Sequence, residues 1–210
     1  MKIITASTGL FVGLLGVYTI PFQIGVFVEN FDLDEAGSGY LGSVELAAVA
    51  IVTMLLGAVI SRFSLSKLAV SGAIVAAIGQ LMSFALHDIT MLCLARLFVG
   101  CGCGCVLAAT TASIASSEDP DAFYGRAFAY MSLAYVLWLA AVPYAARVVP
   151  HAGIFLMLAA TTLLSLPVFR NLTFIKNNKV DRPAKFPIGK SKVALLFMAI
   201  TLVFVSYGGT

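Results

Sequence analysis

Apolar runs of twenty or so residues recur along this chain, separated by short polar segments. That pattern limits the possible folds more than any other feature. A helix rises about 1.5 Å per residue and the hydrocarbon layer of a bilayer is about 30 Å thick, so about 20 apolar residues suffice to cross it. Backbone amides and carbonyls in lipid must bond within their own segment, which leaves helices for runs of this length. Charged residues make up only 11% of the chain, against about 25% in a soluble domain. The mean hydropathy is +1.01.

Reading the runs in order predicts six full spans and the start of a seventh. They cover about 4–28, 39–60, 68–86, 90–115, 124–148 and 153–169, with the seventh opening at Val193 and reaching Thr210. The first is too long for a signal-peptide core and is read as a retained helix. The expected fold is therefore all-α: a six-helix transmembrane bundle over residues 1–170, a basic linker over 171–192, and a seventh helix over 193–210. That helix stops inside an apolar run, so the chain is expected to be a fragment.

Charge sets the expected orientation. With the N-terminus inside, cytoplasmic segments hold eleven of the thirteen basic residues, among them Lys2, Arg62, Lys67, Arg126, Arg170 and Lys179. The outer loops hold Glu29, Asp32, Asp34, Glu35 and Asp88. This is the positive-inside pattern. The net charge of +3 is thus spent on topology, and no nucleic-acid partner is expected. The linker lysines are read as a topology signal, with contact to anionic lipid as the lesser alternative.

Two ionisable residues interrupt the apolar runs. Arg96 lies in span four and Glu45 in span two. An arginine near a helix centre costs roughly 2.5–3.5 kcal/mol on insertion scales, so such a group faces protein, water or a partner charge. Each lies about six residues, roughly 9 Å, from the outer end of its span, and equal depth permits a pair. The functional reading is that Glu45 takes up and releases a proton, with Arg96 favouring its ionised form and burial opposing it. The structural reading is a fixed pair locking two helices, or two residues in a wet cavity.

Other polar residues are weaker candidates. Tyr18, Gln23, Thr110, Thr111, Tyr135 and Trp138 could line a cavity, although packing or interfacial anchoring accounts for each singly. Cys93, Cys101, Cys103 and Cys105 share one helix and imply neither a disulfide framework nor a metal site. His87 and His151 fall near helix ends as surface residues. Asp119-Pro120 should start span five, the acid capping free amides and the proline taking the first helical position. Pro21 and Pro143 should bend spans one and five and free carbonyls that neighbours must satisfy.

Three short patterns together resemble the major facilitator superfamily. Arg96-x-x-x-Gly100-x-Gly102 is similar to that family's fourth-helix motif. Gly125-Arg126-Ala127 opens span five after an inner loop, where the family often has Gly-Arg-Ala. Gly57, Arg62 and Lys67 fit its inner-loop pattern between spans two and three, while Ser61, Ser64 and Ser66 depart from it. The resemblance implies inverted three-helix repeats, so spans one and four would be counterparts. Leu10-Phe11-Val12-Gly13 recurs as Leu97-Phe98-Val99-Gly100. Gly100, Gly102 and Gly104 would let neighbouring helices approach, as would Gly9, Gly13 and Gly16 in span one. Gly57, Arg62, Lys67 and Arg126 would serve as the inner gating motif.

The resemblance further implies a secondary active transporter of a small solute by alternating access, with protons as a candidate coupling ion. Spans one and four line the central cavity in that family, which favours Gln23 and Arg96 as solute contacts. The expected partners are the bilayer, an unidentified small molecule, and a missing C-terminal half or a second copy. No cofactor, metal or enzymatic activity is expected. The expected location is the bacterial inner membrane. The alternative is a non-transporting scaffold or a seven-helix receptor; a receptor would usually place its N-terminus outside, against the charge pattern here.

Overall fold

The computed structural model describes residues 3–31, 33–86, 88–148 and 153–173. All of them belong to the first of two units of the chain, residues 1–176. The expected linker beyond Thr173, the seventh span, His87 and His151 lie outside the described residues.

Every regular element among the described residues is helical. In chain order these are α1 (Ile3–Phe31), α2 (Glu35–Val59), a 3-10 turn (Ile60–Arg62), α3 (Leu65–Ala85), α4 (Ile89–Ala115), α5 (Pro120–Val148), α6 (Gly153–Leu164) and α7 (Leu166–Phe169). Five of them, α1 to α5, are long and apolar enough to cross a membrane. The protein is thus an all-α, polytopic membrane bundle.

The helix starts follow from local chemistry. Asp34 accepts from the Gly37 amide at 2.8 Å and begins α2 four residues before the expected Gly39. Glu45 is therefore ten residues into its helix rather than six. Asp88 does the same for α4, accepting from Met91 N at 3.0 Å. Asp119 accepts from Ala122 N at 3.1 Å, and α5 opens on Pro120. A carboxylate there satisfies amides that have no partner within the helix.

The sixth span keeps its expected bounds, Gly153–Phe169, but is interrupted. In place of one helix over 153–169 there is a twelve-residue α6, then Ser165, then the four-residue α7. Pro167 has no amide to return to the carbonyl of Leu163, and Ser165 marks the break. The Ser165 hydroxyl instead donates to Thr161 O at 2.8 Å. Pro21 and Pro143 lie inside α1 and α5, which both continue past them.

Neighbours are distributed with internal symmetry. α1 packs on α2, α4, α5 and α6; α4 packs on α1, α2, α3 and α5; α3 packs on α6. Exchanging α1 with α4, α2 with α5 and α3 with α6 maps this set onto itself. The α5–α6 contact is the one left over, without a counterpart of equal extent between α2 and α3.

Glycines set how closely these helices approach. A Cβ on Gly102 would fall on Ala76 N and Gly72 O of α3. One on Gly79 would meet Ala95 O and Val99 N of α4 at 2.8 Å. The α3–α4 crossing is thus backbone against backbone. Gly100 and Gly104 face the other way, onto Glu45 O and Val49 O of α2. Gly9 and Gly13 seat α1 against Thr110 and Leu107 of α4.

Candidate functional site

The close crossings converge on Arg96, one of the largest side chains removed wholly from the surface. Arg96 and Glu45 are both 0% exposed, and Gln23 is 1%. Gln80 and Ser83 of α3 and Thr19 of α1 are buried beside them. Side chains from four helices meet here because each backbone can come near. Gly16 leaves room for the Glu45 carboxyl, since a Cβ there would fall on its Oε1. Gly79, one residue before Gln80, holds α3 against α4.

The guanidinium is shared out among these helices. Its Nη1 donates to Gln23 Oε1 at 2.8 Å and to Glu45 Oε2 at 3.3 Å. Its Nη2 donates to Gln80 Oε1 at 3.0 Å and to the Ser83 hydroxyl. Gln23 is itself held, its Nε2 donating to Thr19 Oγ1 at 2.8 Å. The Phe155 ring of α6 lies against the charge, 4.8 Å from ring centroid to the guanidinium carbon. Phe27 of α1 stacks on Phe155 at 5.6 Å. Within this cluster two buried polar atoms have no hydrogen-bond partner, Glu45 Oε1 and Arg96 Nε.

Arg96–Glu45 is the ion pair seen among the described residues. A buried pair costs desolvation at both ends, which its mutual attraction repays only where further hydrogen bonds satisfy the remaining donors. Here neutral acceptors take three of the four Nη hydrogens, and Nε stays unbonded. No group of three or more potential metal ligands occurs among the described residues.

The other candidates take different places. Tyr18, Tyr135 and Trp138 form an aromatic group on α1 and α5, joined by Phe11. Tyr18 and Tyr135 rings are 5.0 Å apart, and Tyr135 stacks on Trp138 at 6.2 Å. The Tyr135 hydroxyl donates to Tyr18 O at 2.6 Å, three residues before Pro21, and Trp138 Nε1 donates to Thr161 at 2.9 Å. Phe11 also borders a crevice of about 490 Å³ between α1 and α5, lined by Ile4, Ser7, Thr8, Tyr130 and Ala134. That volume lies within the roughly 300–1,000 Å³ of small-molecule sites. Gln23 and Arg96 are sealed in the bundle interior, away from this crevice. Arg62, Lys67 and Arg126 are exposed, and a Cβ on Gly57 or Gly125 would meet nothing. Thr110 and Thr111 bond back to their own helix at Val106 O and Leu107 O.

Gln80, Ser83 and Phe155 escape a reading of the sequence by intramembrane charge. Gln80 and Ser83 are three apart on one face of an apolar helix, a polar pair that could have pointed to a buried partner. Phe155 carries no such signal, being one aromatic residue in an apolar run.

A bundle of apolar helices closed around a buried arginine defines a polytopic membrane protein. The family model of the Major Facilitator Superfamily matches residues 6–210, so the chain belongs to that family and is an integral, multi-pass membrane transporter. No curated protein matches the chain.

Proposed function

We propose that the protein is a secondary active transporter that moves a small solute by alternating access, with a proton taken up and released at Glu45 as the coupling event. One observation carries this reading: the Glu45 carboxyl is buried beside Arg96, yet only Oε2 is bonded and Oε1 has no partner. A pair serving only to lock two helices gains most from using both oxygens, as bidentate arginine–carboxylate pairs do. An oxygen left open can receive a proton.

In this reading the bundle of residues 1–170 rocks against a second bundle, begun by residues 193–210 after the linker or provided by a second copy. Solute meets the α1–α5 face, where Tyr18, Tyr135 and Trp138 gather. Arg62, Arg126 and Arg170 share one end of the helices and Asp34 and Asp88 the other, which favours a cytoplasmic N-terminus in a bacterial inner membrane.

The test is reconstitution in liposomes that enclose a pH-sensitive dye. Sugars, amino acids, organic acids and lipophilic amines are added in turn under an imposed proton gradient. One class should drive proton flux, and Glu45→Gln should abolish it. If Glu45→Gln still concentrates the solute with unchanged pH dependence, the coupling role is wrong.

A further inference from the structure

The bonds to Arg96 are unequal in an unexpected order. The carboxylate contact, at 3.3 Å, is longer than those to the neutral amide oxygens of Gln23 and Gln80, at 2.8 and 3.0 Å. Charge-assisted N–H···O bonds usually run about 2.7–2.9 Å. The Ser83 hydroxyl takes the fourth Nη hydrogen. The Phe155 ring attracts the cation whatever the charge on Glu45. The guanidinium is therefore held mainly by groups that never titrate, and the carboxyl stands off from it.

We infer that Gln80 and Ser83 of α3 are positioning residues that, with Gln23, hold Arg96 in place independently of Glu45, so that Glu45 can change protonation without the guanidinium moving. This rests on the proton role proposed for Glu45. The titratable groups that face Glu45 are Arg96 and Cys103, both of α4. The residues of α1, α3 and α6 in the cluster, Gln23, Gln80, Ser83 and Phe155, are neutral.

A direction follows for what happens when the cradle is removed. With Gln80 or Ser83 gone, an Nη2 hydrogen loses its acceptor and the guanidinium can close onto both carboxylate oxygens. Closer contact stabilises ionised Glu45, so it should protonate only at lower pH. Helix packing alone would not produce this shift.

The experiment is an infrared pH titration of the purified 210-residue chain in detergent, following the protonated carboxyl band that disappears in Glu45→Gln. In the unmodified protein that band should grow as pH falls. In Gln80→Leu and in Ser83→Ala it should appear about one pH unit lower, a roughly tenfold change in proton affinity. Ser83→Thr, which keeps the hydroxyl, should restore the original midpoint. Unchanged midpoints in both variants would overturn the inference, and so would a Glu45 band absent at every pH where the fold persists. Should liposome transport prove indifferent to Glu45 while the band still shifts, the coupling proposal falls and the positioning role stands.

Discussion

Replacing Gly102 with alanine tests whether backbone contact between α3 and α4 holds the arginine cluster together. The added methyl would land on Ala76 N and Gly72 O and lie 2.8 Å from Ala76 Cβ, where ordinary contacts begin at 3.4 Å. Two of those atoms are backbone, so no side chain can swing aside and the helices must part. Overpacking a tight core costs about 1–3 kcal/mol, and rigid backbone neighbours put this site at the upper end. Alanine regains about 1 kcal/mol of helix propensity, leaving a net loss of about 2 kcal/mol. Gly25→Ala in α1 is the control, because nothing lies within 4 Å of its Cβ position. It should gain up to about 1 kcal/mol from propensity alone. Both variants would be unfolded with increasing SDS in mixed micelles, read by the fluorescence of Trp138, the only tryptophan. A separation of about 3 kcal/mol between them is expected. Equal shifts in the same direction would refute the claim that the α3–α4 crossing is steric at Gly102.

Three further outcomes follow from the same contacts. Arg96→Leu should cost about 3–5 kcal/mol in that assay by stranding buried Glu45, and Arg96→Leu combined with Glu45→Leu should recover part of the loss. A single variant as stable as the parent would show that the cluster does not hold the bundle. Tyr135→Phe should cost about 1 kcal/mol by releasing the Tyr18 carbonyl near Pro21, and should alter Trp138 emission through the stacked ring. Unaltered stability and emission would mean that water replaces the hydroxyl. Asp119→Ala should cost about 1 kcal/mol and speed amide exchange in the first turn of α5 only. Faster exchange spread over the whole helix would contradict a local capping role.

Much of the architecture can be read from local features. Apolar run length marks α1 to α5, because a span must outlast the hydrocarbon layer whatever its neighbours do. Asp119-Pro120 announces the start of α5 for an equally local reason. The sixth span was harder: Pro167 sits near the end of an apolar run, and run length alone cannot show that the helix breaks at Ser165. Placing the start of α2 at Gly39 overlooked Asp34, whose capping bond adds four residues.

The candidate site divides in the same way. Arg96 and Glu45 stand out in sequence because charge in lipid is costly wherever it lies. What the guanidinium touches depends on helix register and crossing. Those are set by Gly79 and Gly102 where α3 crosses α4, Gly100 against α2 and Gly16 against the Glu45 carboxyl. Composition and run length alone place this chain across a bilayer with two ionisable groups inside it, since they govern insertion residue by residue. That Gln80, Ser83 and Gln23 share the guanidinium while one carboxylate oxygen stays unbonded follows from the folded bundle alone. Such partnerships arise between helices far apart in the chain, whose meeting depends on every close approach in the bundle at once.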